Sequence, residues 1–173
     1  MASKIKVDQI QTGDGTGTIA LQNQLSGMTS ASMPAGTMLQ TLYNEAHTQI
    51  ILSNDTSPGS ASGLSIAITP RNTSSKVLIT VNMTYSPPAA GRGLGLNFMR
   101  GSTIVYSTPY SWIAVGGPGA DAAYKKFTVT YLDSPNTASA VTYSINVLSE
   151  SGNEMTVMPN GTGSELIVQE IAG

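Results

Sequence analysis

Apolar and polar residues alternate one for one along several short stretches of this chain, and that period constrains its fold more than any other feature. Between residues 76 and 85, Val77, Ile79, Val81, Met83 and Tyr85 share one face, while Leu78, Thr80, Asn82 and Thr84 share the other. Successive side chains of a strand point to opposite sides, so the pattern fits a strand resting one face on a core and cannot form a helical stripe. The same alternation sets Leu64, Ile66 and Ile68 against Ser65, Ala67 and Thr69, and Leu94, Leu96 and Phe98 against Gly95, Asn97 and Met99. It also sets Phe127, Val129 and Tyr131 against Thr128 and Thr130, and Val141, Tyr143, Ile145 and Val147 against Thr142, Ser144 and Asn146. Residues 38–43 and 47–52 read as two strands joined by a turn near Glu45. In the final stretch, GSELIVQEIAG, Leu166 and Val168 face away from Ile167 and Ile171. Chain ends fray unless tied down, so an apolar strand there is expected to pair inside a sheet.

Turn-forming sequences separate these runs: NDTSPGSASG at 54–63, PRNTSS at 70–75, a Pro-Pro pair at 87–88 and DSPNT at 133–137. Gly and Pro recur too often for long helices. Short strands at this spacing predict an all-β sandwich, jelly roll or barrel. Residues 111–123, SWIAVGGPGADAA, read as a loop at one end of it.

The first 36 residues differ. Ile5, Val7 and Ile10 precede a glycine-rich turn, QTGDGTG, and Ile19, Leu21 and Leu25 follow it. This is at most a small hairpin, and an isolated hairpin is marginal in water because it buries too little to offset its ordering entropy. Those six residues are therefore expected to dock on a neighbouring subunit or another protein. The boundary falls at Met33-Pro34-Ala35-Gly36, leaving residues 1–36 as an attachment arm and 37–173 as the sandwich domain.

Composition narrows the function. Charged residues make up 10% of the chain, against ~25% in ordinary soluble domains. Ser, Thr, Asn, Gln and Gly replace them, and neutral groups pair at interfaces with a low desolvation cost. Eight Lys and Arg, scattered along a chain of net charge −2, do not form the basic patch that phosphate neutralisation needs, so no nucleic-acid partner is expected. The absence of cysteine excludes disulfides, thiol nucleophiles and thiolate metal sites. No stretch has the ~18 apolar residues of a spanning helix, so no membrane insertion is expected. The N-terminus lacks an apolar signal-peptide core, and maturation in the cytoplasm where the chain is made is the expectation.

No motif points to catalysis. Gly91-Arg92-Gly93-Leu94-Gly95 is glycine-rich, but a phosphate cradle needs a helix after it, and here an alternating strand follows. His47 is the only histidine and would have to serve any Ser-His-Asp triad; with only Glu45 nearby it reads as a strand-end residue. The acids lie mostly in turns and make no recognisable pair for glycoside hydrolysis. Asp8 and Asp14 do not match a calcium-loop spacing. No cofactor or metal is expected. Tyr106, Tyr110 and Trp112 cluster around the 111–123 loop and are candidate receptor contacts, since loop aromatics anchor interfaces as well as pack their own loops. The Asn-x-Ser/Thr triplets at Asn54, Asn72, Asn82 and Asn160 read as products of an Asn- and Thr-rich composition.

Several phrases resemble a family. ITPRNTSSKVLITVNMTY at 68–85, the RGSTI at 100–104, YLDSP at 131–135 followed by AVTY at 140–143, and the closing ELIVQEIAG are similar to a β-sandwich pattern of bacteriophage virion proteins. KIKVDQIQTGDGTGTIAL at 4–21 resembles the opening of phage tail-fibre proteins. The resemblance covers most of the chain and is weakest at 107–123. It implies a jelly roll related in shape to the C1q and tumour-necrosis-factor trimers, assembled as a homotrimer in a virion. Leu78, Met99, Leu132 and Leu148 would face outward in a lone protomer, and such apolar positions invite association.

The reading that follows is a non-enzymatic phage structural protein: a short trimeric tail fibre or knob, held to other virion proteins through residues 1–36 and involved in host adsorption. It would sit on the tail or capsid surface after assembly in the host cytoplasm, and a host-surface glycan or protein is a candidate partner. The alternatives are a capsid decoration or cement protein on the head, a free carbohydrate-binding module, and a fibre-borne depolymerase.

Overall fold

A computed structural model describes residues 10–11, 18–19, 33–53, 57–86, 93–108, 124–149 and 155–173. The chain divides into two units, Met1–Met33 and Pro34–Gly173. In the first, β1 (Ile10–Gln11) pairs antiparallel with β2 (Thr18–Ile19), with Ile10 opposite Ile19.

The second unit carries the alternating segments. In chain order they are β3 (Met38–Ala46), β4 (Ile50–Leu52), β5 (Ser60–Ile68), β6 (Lys76–Ser86), β7 (Leu94–Arg100), β8 (Thr103–Ser107), β9 (Lys125–Asp133), β10 (Val141–Ser149), β11 (Met155–Val157) and β12 (Ser164–Ile171). The long strands form two antiparallel layers, β3-β12-β6-β9 and β5-β10-β7-β8, and the short β11 and β4 continue one end of the first layer beyond β6. The pairs β3·β12, β5·β10, β6·β9 and β7·β8 nest inside one another along the sequence. A long hairpin folded over on itself in this way is a jelly-roll β-sandwich. The innermost pair turns at Gly101, whose φ of +59° suits a residue without a Cβ.

The interior is the apolar half of each alternation. Val77, Ile79, Val81 and Met83 of β6, Leu166 and Val168 of β12, Leu64 and Ile68 of β5, Leu94, Leu96 and Phe98 of β7, and Tyr143, Ile145 and Val147 of β10 form one buried cluster. Phe127, Val129 and Tyr131 of β9 pack on it half-buried. Strand β12 lies between β3 and β6, paired along both edges. Backbone pairing continues past it, with Gly36 N–H donating to the Ala172 carbonyl and Ala172 N–H to that of Thr37.

Two buried carboxylates stitch the sandwich. Asp133, at the end of β9, accepts hydrogen bonds from Arg100 Nη1 at 2.8 Å and the Tyr143 hydroxyl at 2.6 Å, both on the opposite layer. Glu170, fully buried on β12, accepts from Gln40 Nε2 and the Arg71 backbone N–H, each at 2.6 Å. A buried charge is tolerated when hydrogen bonds replace water; Glu170 has a partner on each oxygen, and Asp133 takes both of its bonds on Oδ2.

Three sequence expectations are corrected. Glu45 lies inside β3 and the chain turns only after Ala46; β3 and β4 do not pair with each other but with β12 and β11 respectively. Tyr106 is a strand residue of β8, not a loop residue. Met99 and Leu148 lie on the side away from the core yet are 6% and 3% exposed. Residues 58–59 lie against that side: Pro58 O accepts from Asn97 and Asn146 Nδ2 at 3.1 Å, and a Cβ on Gly59 would sit 3.0 Å from Leu148 Cγ. Alternation alone marks a face as away from the core, but not whether another segment covers it.

Candidate association face

The side of β3-β12-β6-β9 turned away from the core is built in cross-strand rows, and the register settles which residues meet. One row runs Glu45, Glu165, Asn82, Thr128. The next runs Tyr43, Ile167, Thr80, Thr130, and a third runs Thr41, Gln169, Leu78, Leu132. Met38, Ile171 and Lys76 close the far end, where a register shift after Glu170 brings Met38 opposite Ile171.

The second and third rows contain no charged residue. Tyr43 is 58% exposed, Met38 55% and Leu132 45%, while Leu78, Ile167 and Ile171 are half-buried. Polar groups among them are already paired within the sheet. The Thr80 and Thr130 hydroxyls lie 3.3 Å apart, and Gln169 Nε2 reaches Met38 Sδ at 3.2 Å and Thr41 Oγ1 at 3.4 Å. Covering such a surface costs little, because its neutral polar groups keep partners when water leaves.

A cluster of charged groups lies at the end opposite Lys76. Lys126 Nζ donates to Glu165 at 3.2 Å, Asn82 Nδ2 donates to the other Glu165 oxygen at 3.0 Å, and Thr128 Oγ1 donates to Asn82 Oδ1 at 2.6 Å. The Asn82 hydrogen bond, then Lys126, holds the Glu165 carboxyl below its ordinary range. Partial desolvation, followed by neighbouring Glu45, raises the Tyr43 phenol. His47 Nδ1 lies 3.0 Å from the Gly161 carbonyl and Nε2 lies 3.1 Å from Glu45. Both ring nitrogens thus face an acceptor, a carbonyl on one side and a carboxylate on the other. Among the described residues no three potential metal ligands group together.

The aromatic candidates fare differently. Tyr106 stacks on Tyr131 with centroids 4.8 Å apart and meets Phe98 edge-on at 5.6 Å, so its ring fills the margin between the two layers. Tyr110 and Trp112 lie outside the described residues, as do Ile5, Val7, Leu21 and Leu25 of the arm. Of the outward-facing positions, Leu78 and Leu132 were legible from alternation, as was the placing of Ile167 and Ile171 opposite Leu166. Tyr43 and Met38 were not, because only the β3·β12 register brings them onto this face.

No family model matches the chain, and no curated protein sequence does. Among solved structures it is similar to a D431N mutant VP2 protein of infectious bursal disease virus in T=1 particles, with 10% identity, a TM-score of 0.43, and coverage of 79% of this chain and 37% of that one. A second structure of T=1 particles derived from that virus gives 12% identity and a TM-score of 0.41 over 78% of this chain and 36% of that one. The Gx strain of infectious bursal disease virus gives 12% and 0.40 over 78% and 37%. The chain thus spans little more than a third of the length of these structures. The jelly-roll assignment rests on this chain's own strand order and nested pairing.

Proposed function

We propose that this chain is a non-enzymatic structural subunit of a phage particle. It associates with two further copies of itself through the outer face of β3-β12-β6-β9, and residues 1–36 dock it to other virion proteins. The observation that carries this reading is the uncharged central band of that face, where Tyr43 and Leu132 stand exposed among internally paired hydroxyl and amide groups, with Met38 exposed beside it. Exposed apolar groups on a soluble surface mark interaction sites, and closed symmetry is the usual way for identical chains to cover them. The phage-like phrases at 4–21, 68–85, 100–104 and 165–173 support the virion context, and the host-facing surface would be sought around the connection between β8 and β9.

Light scattering on the purified full chain tests the reading, with Tyr43→Glu as the comparison. Three chains for the wild type and one for the variant support it, and a monomeric wild type refutes it. A capsid decoration protein would use the same face; a label on the arm, located on intact particles, separates head from tail.

A further inference from the structure

We propose that His47 is a proton-operated tie that sets the charge at the edge of this face. Protonated, it binds Glu45 and the Gly161 carbonyl together; neutral, it releases one of them. The inference rests on the face being a self-association surface.

The geometry requires the choice. The imidazolium has two N–H donors, and both find acceptors, Gly161 O at 3.0 Å from Nδ1 and Glu45 Oε1 at 3.1 Å from Nε2. Neutral imidazole has one donor and one lone pair. With the proton on Nδ1 the lone pair confronts the Glu45 carboxylate, and with it on Nε2 the lone pair confronts a carbonyl, so either tautomer loses a contact. Glycine at 163 permits the arrangement: a Cβ there would stand 2.5 Å from Glu45 Oε1 and 2.9 Å from His47 Cε1.

The consequence falls on the end row of the face. Glu45 and Glu165 are register partners on adjacent strands, and like charges directly opposite destabilise a pair. Lys126 answers Glu165; among the described residues His47 is the cation that answers Glu45. The remaining titratable neighbours are Tyr43 on β3, coupled to Glu45, and Tyr124, whose hydroxyl meets Asn160 in the turn before β12. Two carboxylates and two cations balance while His47 is protonated, and one negative charge is left over when it is not. The Gly161 hydrogen bond, then Glu45, raises the His47 pKa above its ordinary 6.5. A folded-state value above the unfolded one places the stabilising effect below 6.5, with loss as pH rises through the folded value. An uncompensated carboxylate then has to be desolvated whenever a second copy covers the edge.

Because His47 is the only histidine, its ring Cε1–H gives a single unambiguous NMR titration on the full chain. The expected midpoint lies above 6.5 and falls toward it in Glu45→Gln. Self-association followed by light scattering is expected to weaken about two- to fivefold between about pH 5.5 and about pH 8.5, and to be flat across that range in His47→Gln. A His47 midpoint that Glu45→Gln leaves unmoved overturns the tie. Wild-type association that is flat in pH while His47 titrates as expected overturns its link to the face. A wild type that is monomeric at every pH, with the midpoint still moved by Glu45→Gln, fails the self-association reading and leaves the tie standing as a feature of the protomer alone.

Discussion

Replacing Tyr143 by Phe isolates the clamp between the two layers. The Tyr143 ring is 1% exposed and its hydroxyl donates to Asp133 at 2.6 Å, while Arg100 binds the same carboxylate oxygen at 2.8 Å. Phenylalanine keeps the ring and its packing and removes one hydrogen bond to an ion. Such a bond contributes about 1.5–3 kcal/mol, and the upper half of that range applies because the Asp133 side chain is only 8% exposed. For a domain of this size about 1 kcal/mol moves the melting temperature by roughly 3–4 °C. Tyr143→Phe should therefore lower it by roughly 7–12 °C. Unfolding should be followed by urea at one fixed chain concentration, because association would itself add apparent stability. A double-mutant cycle with Arg100→Met should give a coupling of at least about 0.5 kcal/mol, since both groups act through one carboxylate. Burial first, and Asp133 second, raise the Tyr143 phenol above its ordinary 10.0. The neutral phenol thus stabilises the fold in full below pH 10.0 and loses that effect as pH climbs beyond it. Tyr143→Phe should flatten that alkaline limb. A variant within about 0.5 kcal/mol of wild type, with an unchanged alkaline limb, would refute the claim that this triad joins the layers.

Leu132→Asp should leave the urea midpoint within about 0.5 kcal/mol of wild type, because the site is 45% exposed, yet weaken self-association at least about tenfold by light scattering; an unchanged native mass would remove β9 from the interface. Gly59→Ala should cost about 2 kcal/mol or more, since φ is +82° and the new Cβ would stand 2.5 Å from the Val147 carbonyl oxygen; a neutral result in urea would contradict the close approach of residues 57–59 to β10. Glu165→Gln should flatten acid unfolding monitored by circular dichroism. Asn82 and Lys126 hold that carboxyl below its ordinary 4.5, so its contribution is present above 4.5 and disappears as pH falls through the lowered value; an acid limb identical to wild type would show that the contacts are not kept in solution.

The strands themselves were readable because each period of two reports a single local fact, which side chains leave the water. Residues 76–85 are the clearest case: every apolar odd position between Val77 and Tyr85 is buried, as alternation requires of a strand with one face on a core. Residues 94–99 were half-readable. Their alternation matched a strand, but both faces of β7 are buried, and the residues lying on its far side come from near Pro58 and Thr108. Strand β8 escaped notice because its short run Thr103–Ser107 lies on the margin, where Tyr106 is only partly enclosed and alternation fades.

The sequence by itself therefore determined the class of structure: alternating strands, abundant turns, few charges and no cysteine leave an all-β sandwich held by its apolar faces. It also raised the expectation that the first 36 residues, whose apolar content is too small for a core, form an attachment arm. Only the tertiary structure decided how the strands nest, which rows line the outer face, and that Tyr43 meets Ile167 while Glu45 meets Glu165. The physical reason is that alternation is a property of neighbours along the chain. Register, by contrast, is set by pairings between residues far apart in the chain, such as Thr80 with Thr130 and Tyr43 with Ile167, where a shift of one residue would exchange the buried face for the exposed one.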